Sequence, residues 1–101
     1  MPDDQSGLLL RISENDNVYV LLQSLSAGTR LQLGEKIVVT EVSLGLGHKI
    51  AARKIVSGEK IVKYGAPIGS ATRDIRMGEH VHVHNIKSDY IPTYTLDSKT
   101  V

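Results

Sequence analysis

The segment Gly78-Glu79-His80-Val81-His82-Val83-His84-Asn85 carries three of the chain's four histidines within five residues. In an extended strand, residues i, i+2 and i+4 share one face, so His80, His82 and His84 would line one side while Val81 and Val83 face the core. Neighbouring imidazoles on such a face stand about 6.6 Å apart at Cα. That is close enough for two of them to chelate one metal ion, and imidazole also suits proton transfer near neutral pH. In a continuous strand Asn85 points to the opposite face, so it joins the same site only if the strand ends or bulges there. The alternation lapses from Ile86 onward, which predicts such a break.

A second candidate is Gly45-Leu46-Gly47-His48-Lys49-Ile50-Ala51. Glycines on both sides of Leu46 let the backbone approach another group closely. At the mouth of that loop His48 could shuttle a proton and Lys49 could neutralise a carboxylate. On spacing alone, a flexible loop with solvated charges accounts for the same residues. In the third segment, Tyr64-Gly65-Ala66-Pro67-Ile68-Gly69-Ser70-Ala71, two glycines and a proline predict a rigid turn that positions its neighbouring strands. It matches neither a dinucleotide fingerprint nor a Walker loop. There is no nucleophile elbow, paired-carboxylate motif or Cys/His dyad.

The elements that would hold these residues follow a period of two. Strand-forming runs cover 18–22 (Val-Tyr-Val-Leu-Leu), 36–42 (Lys-Ile-Val-Val-Thr-Glu-Val), 60–64 (Lys-Ile-Val-Lys-Tyr) and 79–85. Short helical turns are expected at most at 24–27 and 47–53. Three segments fit apolar-x-x-Gly-x-x-apolar: Leu25…Gly28…Leu31, Ile55…Gly58…Ile61 and Ile75…Gly78…Val81. Each reads as a tight turn feeding a strand, with glycine at a positive-φ position and the flanking apolar residues in the core. The fold class expected is all-β, built of short hairpins. Residues 1–87 form the domain, and 88–101, with Pro92 opposing regular structure, form a tail or linker.

Composition narrows the function. At 101 residues there is room for one domain. Twelve Lys+Arg against eleven Asp+Glu leave a net charge of +1, so neither nucleic acid nor an anionic membrane is the expected partner. Cysteine is missing, which removes disulfides and thiolate metal sites. Four tyrosines are the whole aromatic content, a poor base-stacking platform. The acidic start Met1-Pro2-Asp3-Asp4 is unlike a signal peptide, and a cytoplasmic location is expected.

Taken in order, these motifs resemble one family. Asp16-Asn17-Val18, Leu25…Gly28, Gly47-His48-Lys49-Ile50-Ala51, Ile55…Gly58-Glu59…Ile61…Lys63-Tyr64-Gly65…Ile68-Gly69 and Ile75…Gly78…Val81-His82-Val83-His84-Asn85 resemble the SAF domain of the altronate and galactarate dehydratases. The small subunit of sulfolactate sulfo-lyase shares these motifs. The resemblance spans roughly residues 8–85 and implies a β-clip with three short two-stranded sheets. It implies a small subunit, inactive alone, that works with a large dehydratase subunit on a small sugar acid; a homo-oligomer stays open. The reaction implied is β-elimination of water, aided by a divalent metal, iron first, which the partner subunit could hold instead. Carried onto this chain, the motif makes His48, His82 and His84 catalytic candidates. Lys49 is assigned to the substrate carboxylate, Asn85 to orienting a hydroxyl, and His82 and His84 to the metal. His80 lies outside the shared motif. The alternatives are a sulfo-lyase subunit and a non-catalytic sugar-acid-binding module.

Overall fold

A computed structural model describes residues 8–89. Nine short strands follow one another: β1 (Leu9–Leu10), β2 (Val18–Leu21), β3 (Arg30–Leu33), β4 (Lys36–Val39), β5 (Lys49–Ala51), β6 (Lys60–Lys63), β7 (Ala66–Ala71), β8 (His80–Val81) and β9 (Ile86–Lys87). All pairings are antiparallel. A four-stranded sheet runs β1-β2-β5-β8, β3 and β4 make a hairpin, and β6-β7-β9 make a three-stranded sheet. The domain is all-β, as its composition and period predicted, but its sheets are not three two-stranded ones.

The glycine repeat organises this architecture, and it has a fourth copy, Leu44…Gly47…Ile50. All four repeat glycines have φ between 84° and 87°. The copies work in two reciprocal pairs. Gly28 N–H donates to the Thr40 carbonyl, just ahead of the second copy, and Gly47 N–H donates to Leu21, just ahead of the first. Gly58 and Gly78 do the same with Ala71 and Ala51. Leu25 pairs with Leu44, and Ile55 with Ile75, through isolated antiparallel bridges. The chain is thus two similar halves that share the four-stranded sheet.

Each half covers one face of that sheet. Tyr19, Leu21 and Ile50 pack with Leu25, Leu31, Leu33 and Leu44 on one side. Val18, Ala51 and Val81 pack with Ile55, Ile61, Ala71 and Ile75 on the other. A strand covered on both faces needs no polar alternation, and all four residues of β2 are buried. Asp16 and Asn17 fasten the second half to the first. Asp16 Oδ1 accepts the Gly65 N–H at 2.7 Å. Asn17 accepts from Val62 N–H and donates to the Lys60 carbonyl, each at 2.8 Å.

Several sequence expectations need correction. Neither helical turn forms: Leu25 sits in a β-bridge, and 47–53 contains β5, the centre of the sheet. The rigid turn expected at 64–71 is only the pair Tyr64-Gly65, both at positive φ. From Ala66 the chain is strand β7, with a register shift opposite Ile61 and Val62 that accommodates Pro67. The histidine run is strand only at His80–Val81. Of the tail, Asp89 is tied to the domain by the Lys60 ammonium at 2.7 Å and the Ser70 hydroxyl at 2.9 Å; residues 90–101 lie outside the described residues. Among the described residues, no helix is long and apolar enough to cross a membrane.

Two of the repeat glycines provide a stability test. A Cβ at Gly58 would meet nothing within 4 Å, whereas one at Gly78 would come within 2.8–2.9 Å of Val38 side-chain carbons. Gly58→Val should therefore cost the ~1–3 kcal/mol of a strained left-handed residue, and Gly78→Val distinctly more. Thermal melting reads the difference. Equal losses would show that the contact with Val38 relaxes freely.

Candidate functional site

The four imidazoles meet at one edge of the four-stranded sheet. His48 leaves the turn of the second repeat copy to enter β5, and His80 opens β8 opposite Ile50. His48 Nδ1 lies 3.0 Å from His80 Nε2, so one ring donates to the other. His82 lies with its ring centroid 5.1 Å from that of His48 and 5.5 Å from that of His80, nearly parallel to the latter. His84 lies 5.3 Å from His80. His80, which the sequence reading set aside, is the ring that touches the other three.

The expected face of alternating histidines does not form, because the strand ends after Val81. Val81 is fully buried, but Val83 is 77% exposed. What replaces the strand is a turn through 82–85 locked by Asn85. Its side chain is completely buried; Oδ1 accepts the His82 N–H at 2.9 Å and Nδ2 donates to the His80 carbonyl at 2.8 Å. The strand breaks earlier than expected, after Val81 and not at Asn85, and pairing resumes at Ile86; the Asn85 amide faces its own turn, where it positions His82.

Lys49 is placed differently from His48. Its partners in register are Val20 and Val81, so it lies on the sheet face opposite Ile50 and His80. Burial, and then the charge of Lys63, hold its pKa below the usual lysine value. The imidazole side instead opens on a groove of about 360 Å³ lined by Val39, Val42, Leu44 and Met77 together with His80 and His84.

The repeat itself singles out His48. In the other three copies, the residue after glycine bonds back onto its own turn. Thr29 Oγ1 donates to the Ser26 carbonyl, Glu59 Oε1 accepts from Val56 N–H, and Glu79 Oε1 accepts from Arg76 N–H. The second copy keeps the backbone bond of this turn, from His48 N–H to the Gly45 carbonyl, yet places an imidazole in the slot and turns it to His80. A local pattern kept three times and broken once makes His48 a candidate for a role beyond holding its turn. Aligning the fourth copy in the sequence would have exposed that departure.

Burial, then the charges of His48, His84, His82 and Lys49, push the His80 imidazole down to about 4. It is therefore neutral at neutral pH and offers a lone pair. The unfolded chain titrates it near 6.5, above the folded value, so this neutral ring favours folding fully above 6.5 and loses that contribution as pH falls toward 4. Melting temperature should drop across that window, and His80→Asn should flatten the drop. An unchanged slope in the variant would assign the effect to other groups.

A divalent ion of the kind the resemblance implies needs converging donors, and the cluster offers three. One ring nitrogen each from His48, His80 and His82 lie within 4.8 Å of one another. His82, assigned to the metal by the resemblance, belongs to that set, and His84, assigned with it, does not.

Residues 8–89 match the family of the altronate/galactarate dehydratase SAF domain. Altronate dehydratase of Bacillus subtilis is 41% identical over 80 residues, covering 79% of this chain and 16% of that protein. The galactarate dehydratase (L-threo-forming) of Escherichia coli is 30% identical over 78 residues, 75% of this chain and 14% of that protein. The (2R)-sulfolactate sulfo-lyase subunit alpha of Chromohalobacter salexigens is 46% identical over 46 residues, 46% of this chain and 49% of the subunit. The chain thus spans about a sixth of the altronate dehydratase it matches.

Proposed function

The chain belongs to the altronate/galactarate dehydratase SAF-domain family, and from that premise we propose that it is the small subunit of a hydro-lyase acting on a sugar acid such as altronate or galactarate. It works with a separate large dehydratase subunit in the cytoplasm. The observation that carries the reading is the imidazole cluster beside an open groove, built at the one repeat copy that departs from its own turn chemistry.

Dehydration of a sugar acid breaks the C–H bond α to the carboxylate. Its electron pair becomes the new C=C bond as the β C–O bond breaks, and the hydroxyl leaves with a proton as water. The α-proton is weakly acidic because its removal adds charge beside an existing carboxylate. A divalent ion, when bound, supplies the positive charge that stabilises this enediolate-like transition state; His48, His80 and His82 would hold it. His84, exposed and facing the groove, moves the proton. Asn85 and His80 fix the rings that act. Lys49, on the other face of the sheet, leaves the substrate carboxylate to a cation of the large subunit.

The groove beside the imidazoles is open, so a further part of the enzyme is needed to enclose a polar substrate. The small-subunit arrangement draws its support from the sulfo-lyase relative, itself called subunit alpha. That similarity also favours one second reading, release of sulfite from a sulfolactate. The test mixes the purified chain with a large dehydratase-type subunit from the same genome and supplies altronate, galactarate or sulfolactate with divalent metal. Loss of water from a sugar acid, only with both chains present, is expected. Sulfite release without dehydration would favour the second reading. Robust turnover by the small chain alone would contradict the division of labour.

A further inference from the structure

We propose that this domain by itself binds one first-row divalent transition-metal ion through His48, His80 and His82, before a partner completes the lyase site. The inference deepens the functional reading in saying what the ion serves, but binding is measured without it. Two nitrogens ligating one ion at about 2.1 Å stand about 3.0 Å apart at a right angle and about 3.4 Å apart at the tetrahedral angle, and His48 Nδ1 and His80 Nε2 are 3.0 Å apart. The third nitrogen, on the exposed ring of His82, lies within 4.8 Å of the other two.

The three residues are held at the backbone by separate elements. His48 is fixed by its turn bond to Gly45 and by β5, His80 by its register against Ile50, and His82 by the Asn85 amide on its N–H. Backbone fixed in this way keeps the three imidazoles close together before an ion arrives, the preorganisation that a metal site needs. The set is all imidazole, with no carboxylate among its members. Imidazole suits Co²⁺, Ni²⁺, Zn²⁺ and Fe²⁺, whereas Mg²⁺ and Ca²⁺ prefer oxygen. His84 stays outside and keeps its proton-transfer role.

The experiment strips the 101-residue chain with chelator and titrates it with Co²⁺, read by visible absorption, and with Zn²⁺, read by calorimetry. One ion per chain is expected, undisturbed by excess Mg²⁺. His48→Ala and His82→Ala should each weaken binding by about 10²-fold or more, beyond the loss of a supporting contact. His84→Ala, a surface change, should stay within about threefold. Circular dichroism confirms folding, and His82, on an exposed turn, provides the variant least able to disturb it. No stoichiometric binding, unaltered affinity in both ligand variants, equal damage from His84→Ala, or displacement by Mg²⁺ would each overturn the site. Tight binding with no lyase activity after reconstitution would overturn the functional reading and leave the site standing. Full activity with a metal-free small chain would leave the lyase reading standing and overturn the ion's part in it.

Discussion

Paired with the large dehydratase-type subunit proposed for it, the chain carrying His84→Ala should turn over about 10²-fold more slowly or worse, the scale of losing a general acid–base group. His82→Ala should fall at least as far, through loss of a ring of the three-nitrogen set. Both side chains are exposed, so folding stability should change by no more than about 0.5 kcal/mol. A purely structural role forecasts the opposite, early melting with full activity in whatever stays folded. His80→Ala belongs with these variants. Outside the shared motif it looked dispensable, but its ring touches those of His48, His82 and His84, so its removal frees all three. It should lose activity comparably while also altering the pH dependence of melting, which the His84 variant should not. Turnover retained in His84→Ala would take that residue out of the site.

Replacing Asn85 by Ala should cost about 3 kcal/mol. Its buried amide satisfies the His82 N–H and the His80 carbonyl, and each buried polar group left without a partner costs ~1–3 kcal/mol. Asn85→Asp keeps the acceptor for His82 and loses the donor for His80, so it should fall between wild type and Asn85→Ala. Denaturant unfolding of the isolated chain measures both. A loss below about 0.5 kcal/mol with weakened substrate affinity in the assembled enzyme would instead make Asn85 the hydroxyl-orienting residue its motif position suggested.

Much of the fold was legible because period-two apolar runs survive in even very short strands. Val18–Leu21, Lys36–Val39 and Lys60–Lys63 coincide with runs read from the sequence. β5 and β7 were missed for different reasons. Lys49-Ile50-Ala51 is too short to show a period, and only its pairing with β2 and β8 makes it a strand. Ala66-Pro67-Ile68-Gly69 reads as turn chemistry, yet Gly69 is needed where the Lys87 carbonyl would stand 2.2 Å from any Cβ. The histidines show the same limit at the site. His-Val alternation at 80–84 is a sound strand signal, overridden by one buried asparagine that closes a turn. Which rings meet depended on contacts across more than thirty positions, His48 to His80, and no local spacing encodes those.

The imidazole cluster is the part of this domain proposed to meet substrate. Histidine modification by diethylpyrocarbonate, followed residue by residue by mass spectrometry on the assembled enzyme, tests that directly. Saturating altronate or galactarate should slow modification of His84 most and of His82 next, since both are exposed beside the groove that His80 and His84 line. Equal rates at all four histidines with and without a sugar acid that the enzyme turns over would place the substrate elsewhere and contradict the account.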